Sequence, residues 1–196
     1  MACAFVAGLL LVITALGEDR PPQPSSAQAF PASLYPSQWS PAAQPLPPSV
    51  PVRLRAPAVG LDAPLTSVGL DAAGALRPPA DGRRLAGWYS GGPAPGTAGT
   101  AVTTGHVTTR TGPGVFHKVG ALARGDIIEV TRTDRLTAVF TVEAVEVYPK
   151  NDFPTARVYG SSGRPELRVI TCGGKYTDAT GWQANVVVFA ALTSTK

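Results

Sequence analysis

The chain has 196 residues, with 17 Lys and Arg against 13 Asp and Glu and a formal charge of +4. Its 21 glycines and 20 prolines exclude a helical bundle and favour a β-rich domain with many turns. Two cysteines exclude a disulfide framework; the two histidines sit at a spacing that fits no zinc finger, and no basic cluster points to nucleic acid.

Residues 1–17, MACAFVAGLLLVITALG, carry no charge and are almost wholly apolar. They read as an export signal or a membrane anchor, with Ala15-Leu16-Gly17 a weak cleavage-site match and Cys3 inside the segment. No charged residue stands between Arg20 and Arg53, and residues 21–51 hold ten of the prolines. Such a composition favours extended chain over a buried core, so residues 18–52 are expected to be a disordered Pro-rich stalk. Residues 53–196, with a formal charge of +5, are long enough for one globular domain.

Within that domain, short apolar runs are broken by Gly and Pro. Strands are predicted over Val52–Ala56, Pro64–Leu70, Ala101–Thr104, Asp126–Arg132, Leu136–Tyr148, Leu167–Thr171 and Asn185–Ala190. Thr133-Asp134 makes a tight turn, and Val115–Val119 a short helix or turn. Val142, Ala144, Val145 and Val147 break strict alternation, which predicts a bulge. About eight strands with few helices point to a closed or nearly closed β-barrel. Trp88 and Tyr89, before a Gly/Pro loop, are expected to be barrel packing rather than a carbohydrate platform.

Cys172 follows the strand Leu167–Thr171 directly and precedes Gly173-Gly174. A thiol at a strand end, flanked by glycines that let a substrate backbone approach, is a candidate nucleophile if a base or cation stands near it. An inert thiol is the alternative. His106 also ends a strand, beside Gly105, whereas His117 reads as a surface or rim residue.

Thr104-Gly105-His106-Val107 followed by Gly114-Val115-Phe116, and Ile170-Thr171-Cys172-Gly173-Gly174, resemble the two signature blocks of the sortases. These are surface cysteine transpeptidases of Gram-positive bacteria. The resemblance covers about residues 50–192 and implies an eight-stranded barrel. TCGG, VGLDAAGAL (68–76) and GWYSGGPAPG (87–96) look most like the class F branch of high-GC species. By resemblance, Cys172 forms a thioester with a sorting-motif peptide, and His106 passes protons to the leaving amine and from the incoming one. The acceptor amine would come from cell-wall precursor or a pilin. The catalytic domain would stand outside the cell, held by the N-terminal segment. No cofactor is implied, and the loop Ser90–Thr100 has no carboxylate for the calcium site of some relatives.

One position departs from the family pattern. The family places an arginine at the start of the closing strand, where this chain has Asn185. Period two puts Arg168, Ile170 and Cys172 on one strand face, so Arg168 could supply a guanidinium to the site; alternatively it pairs with Glu166. Arg110 is a weaker candidate. Matched positions assign substrate contacts to Thr104, Pro154, Thr155, Val158, Ile170 and, flanking the site, Trp182. L,D-transpeptidases share the order His before Cys but place Arg near a Gly-Cys pair, and papain-like enzymes put Cys first. A sortase-like binding protein without catalysis is the remaining alternative, and Asn185 is its motive.

Overall fold

A computed structural model describes residues 20–31 and 43–196. β1 (Pro51–Ala56) turns Leu54 and Ala56 inward and Arg53 and Arg55 outward, then pairs antiparallel with β2 (Leu61–Val68). The turn between them closes at Gly60, whose φ of 65° is the left-handed conformation that favours glycine. β3 (Ala86–Tyr89) runs parallel to β2, and β4 (Gly99–Thr104) antiparallel to β3. A small hairpin of β5 (Thr108–Thr109) and β6 (Gly112–Pro113) stands apart from the main sheet. β7 (Ile127–Arg132) and β8 (Thr137–Pro149) form a hairpin. A five-residue helix, α1 (Thr155–Tyr159), leads to the two long strands β9 (Pro165–Thr177) and β10 (Gly181–Thr195).

The strands close in the order β1-β2-β3-β4-β9-β10-β8-β7 into an eight-stranded barrel, mixed because β2–β3 and β4–β9 are parallel. The predicted β-barrel is therefore observed. The second strand lies earlier than expected, at Leu61–Val68 rather than Pro64–Leu70. Within Val115–Val119, residues 115–118 are turn and Val119 opens a 3-10 turn, Val119–Ala121.

Period-two alternation fills the interior with Leu54, Ile128, Val130, Phe140, Leu167, Val169, Val186, Val188 and Leu192. The bulge in β8 is where the broken alternation puts it. The β10 register steps from Phe189 opposite Ala144 to Ala190 opposite Val142, leaving Glu143 unmatched. Val142 and Val145, three apart, thereby both face the interior.

A second apolar cluster forms on the outer face of β4, β9, β10 and β8, from Val102, Ile170, Val187, Phe189 and Ala144 with Val158 of α1. Period two separates the two faces: Leu167 and Val169 point in, Arg168 and Ile170 out. Trp88 is buried and donates Nε1–H to Pro93 O at 3.2 Å, the packing role expected of it.

The described parts of the stretch expected to be a free stalk lie on the barrel. Gln28 donates to the carbonyls of Gly120 and Leu122 at 3.0 and 2.7 Å, and Phe30 meets Phe189 edge-on at 5.2 Å. Leu46 N–H donates to Gly96 O at 2.8 Å. A Pro-rich chain has few hydrogen-bond donors of its own, but here Gln23, Gln28 and Phe30 find partners on the barrel. The apolar segment 1–17, with Cys3, lies outside the described residues. Among the described residues no helix is long and apolar enough to cross a membrane.

Candidate active site

The parallel register of β4 and β9 joins the two sequence motifs. Gly99 stands opposite Pro165 and the ladder runs in step to Thr104 opposite Ile170. β4 ends there, whereas β9 runs on along β10 to Thr177, so Cys172 lies within β9 rather than after it as expected. The segments carrying His106 and Cys172, each two residues beyond the ladder, leave the same end of the parallel pair. Beyond the ladder, Gly105 N–H donates to Ile170 O at 3.3 Å and Thr171 Oγ1–H donates to Gly105 O at 2.8 Å. Cys172 is a half-exposed free thiol. On its other side, Asn185 of β10 is its register partner.

His106 is half-buried, with Nε2 3.1 Å from Pro79 O. A carbonyl oxygen only accepts, so Nε2 carries a proton in this arrangement and Nδ1 is left for other work. Gly82 lies against the imidazole: a Cβ there would stand 2.6 Å from His106 Cδ2. Nothing local to Gly82 singles it out, because the contact crosses a loop. His106 opens onto a cleft lined by Asp81, Arg83, Arg110 and Tyr176. Arg110 sits exposed on that cleft's wall.

Lys150 is a residue that sequence reasoning missed. Its Nζ lies 3.7 Å from Cys172 Sγ, the sulfur's one hydrogen-bonding contact among the described residues. Lys150 opens the 3-10 turn Lys150–Asp152 after β8. It reaches Cys172 because β10 pairs on one edge with β8, Asn185 opposite Tyr148, and on the other with β9, Asn185 opposite Cys172. Nothing local to Lys150 signals this.

Arg168 shares a strand face with Ile170 and Cys172, as period two requires, but its guanidinium is spent on structure. Nη2 donates to Glu166 Oε2 at 2.8 Å, Nε to Val158 O at 3.1 Å and Nη1 to Leu167 O at 3.4 Å, while the group sits 4.6 Å from the centre of the Phe189 ring. Both members of the pair are buried, and burial lowers the arginine's pKa against the opposing pull of Glu166. Of the two readings open to Arg168, the geometry favours the pair with Glu166. His117 corrects a second expectation: it is buried rather than at the surface, with Nδ1 3.0 Å from Val107 O.

Of the residues assigned to substrate, Ile170 and Val158 meet in the outer apolar cluster, with Phe153 and Tyr148 packed against it. Pro154 caps the start of α1, and Thr155 is exposed beside it. Thr104 is buried at the end of β4. Trp182 is on the His106 side, donating Nε1–H to Thr108 Oγ1 at 3.2 Å and meeting Tyr176 at 5.2 Å. The Tyr148 hydroxyl donates to Glu146, which also binds Arg157; burial, aided by Glu146, pushes the phenol up to about 12 and keeps it neutral.

The sortase domain family model matches residues 54–193. The chain belongs to the sortase family. Its fold is similar to sortase A of Listeria monocytogenes, at 17% identity over 76% of this chain and 89% of that one, with a TM-score of 0.56. It is also similar to Group B Streptococcus Pilus Island 1 sortase C2, at 18% identity over 73% of each chain and a TM-score of 0.54. A Clostridium perfringens sortase D5 transpeptidase matches at 17% identity over 74% of this chain and 79% of that one, with a TM-score of 0.54. No curated protein matches the sequence. The structural likenesses therefore reach across sortases A, C and D. In this sortase the closing strand begins at Gly181, four residues before the expected Asn185, and Lys150 is the cation at the thiol.

Proposed function

We propose that this sortase is an extracytoplasmic cysteine transpeptidase of the class F type that joins sorting-motif-bearing surface proteins to an amine acceptor. The observation that supports the reading most is the in-register parallel pairing of β4 and β9, whose ladder stops two residues short of both His106 and Cys172 within a sortase domain. TCGG, VGLDAAGAL and GWYSGGPAPG support class F. Residues 1–17 would hold the protein at the membrane, residues 18–52 would connect it to the barrel, and residues 53–196 would carry the chemistry.

The Cys172 thiolate attacks the sorting-motif carbonyl, forming an S–C bond and moving an electron pair onto the oxygen. As the oxyanion collapses the C–N bond breaks, and His106 gives a proton to the departing amine. An amine from cell-wall precursor or a pilin then attacks the thioester. His106 takes its proton, and the thiolate is released. Asn185, flanking Cys172, offers an amide donor to the oxyanion. The wall of Ile170, Val158, Pro154 and Thr155 receives the apolar part of the motif, with Thr104 behind the histidine and Trp182 on the far side.

The test is a peptide-library cleavage assay on the whole protein, with and without primary amines. A wild-type thioester adduct and amine-dependent product, both lost in Cys172→Ala, are expected. Cleavage that survives in Cys172→Ala overturns the mechanism.

A further inference from the structure

We propose that Lys150 is a catalytic residue of this site, supplying from the turn after β8 the positive charge that holds the Cys172 thiolate. The inference rests on the transpeptidase reading, and goes beyond it in naming the group that activates the nucleophile.

The other side chains that could do this are otherwise engaged or uncharged. Arg168 is buried against Glu166, Val158 O and the Phe189 ring. Asn185, the register partner of Cys172, has no charge. His106 Nε2 is turned to Pro79 O. Lys150 Nζ, at 3.7 Å from Sγ, makes no ion pair within the described residues.

The ionisable groups on the elements packed around the thiol are His106 after β4, Glu143, Glu146 and Tyr148 on β8, Asp152 on the turn of Lys150 itself, the Glu166–Arg168 pair, Lys175 and Tyr176 on β9, and Arg20 beside Lys175. Tyr148 is held neutral, and its hydroxyl is bound to Glu146. Lys150 is thus the cation placed to favour the thiolate over the thiol. When Sγ attacks, negative charge passes from the sulfur to the carbonyl oxygen bonded at the same carbon. An ammonium on a flexible stem can follow it there, and no proton need leave the lysine.

Lys150 is exposed, so Lys150→Met is expected to fold, and Lys150→Arg keeps the charge. The rate of Cys172 alkylation by iodoacetamide is measured from pH 5 to 10 in wild type, Lys150→Met and Lys150→Arg, together with kcat and KM for a cleaved peptide. In Lys150→Met the alkylation rate at pH 7 falls about two- to fivefold, the size expected of a solvent-exposed ion pair, and approaches wild type at pH 10. High salt narrows the difference, Lys150→Arg restores most of the rate, and kcat falls more than KM changes. Superimposable alkylation profiles in wild type and Lys150→Met overturn the proposal, even if wild type cleaves the peptide. A shifted profile with no peptide cleaved by wild type instead supports the Lys150–Cys172 pair and counts against the transpeptidase reading.

Discussion

Thr171 donates its hydroxyl to the carbonyl oxygen of Gly105 at 2.8 Å, so the residue before the nucleophile is tied to the residue before the histidine. Both groups are buried at the end of the parallel β4–β9 pair, where the backbone ladder has just stopped. Thr171→Val keeps the side-chain shape and removes the donor, leaving a buried carbonyl without its partner. A loss of about 1–3 kcal/mol in chemical denaturation is expected. Because this bond aligns His106 with Cys172, kcat should also fall, with KM little changed. Unchanged kcat in a destabilised Thr171→Val would reduce the bond to a structural role.

The buried Arg168–Glu166 pair makes a prediction of the opposite kind. Removing the guanidinium in Arg168→Met strands a carboxylate that is 2% exposed, and the expected cost is about 3–5 kcal/mol. The double variant Arg168→Met/Glu166→Gln should recover much of that loss, since no uncompensated charge remains. Peptide cleavage per folded molecule should be close to wild type in the double variant. A large drop in kcat there would return Arg168 to the catalytic machinery.

Gly82 tests how closely the histidine is held. A methyl group at this position would lie 2.6 Å from Cδ2 and 2.8 Å from Cγ of His106, so the ring must move. Gly82→Ala is expected to lower kcat about tenfold, the loss of roughly 1.4 kcal/mol of transition-state stabilisation that a displaced proton donor brings. Thermal unfolding should move by only a few degrees. Wild-type kinetics in Gly82→Ala would mean that the ring position seen here is not the working one.

Asp134 gives a pH dependence whose sign is fixed. Its carboxyl is held below its ordinary value, first by the hydrogen bond from Arg132, which also donates to Pro95 O at 2.8 Å. A carboxyl whose pKa is depressed on folding adds stability that is fully present above the unfolded value, near 4, and is lost as pH falls through the folded one. The difference in Tm between wild type and Asp134→Asn should therefore be constant from pH 7 to 5 and shrink below about pH 4. A difference that grows on acidification would contradict the assignment.

The amino-acid sequence alone carried the class of fold and singled out His106 and Cys172 as the candidate pair. Alternating apolar runs between Gly and Pro mark strands whatever they pair with, and even the bulge at Glu143 was written in the broken alternation of Val142, Ala144 and Val145. Cys172 and His106 were legible as candidates because each stands beside glycine after an apolar run, but that β9 continues past Cys172 to Thr177 was not legible. The relations between distant segments were not legible, because side-chain period says which face a residue takes and not which strand lies next to it. Two-residue spacing correctly put Arg168 on the face of Cys172, but only packing decided between Glu166 and the thiol, and burial next to a carboxylate settled the guanidinium there. His117 was misplaced for the same reason: a polar residue in a mixed turn looks exposed until the loop folds over it and Val107 accepts its hydrogen bond. Lys150 stands 22 positions before Cys172 and carries no motif. The barrel register, through β10, brought that ammonium to the sulfur.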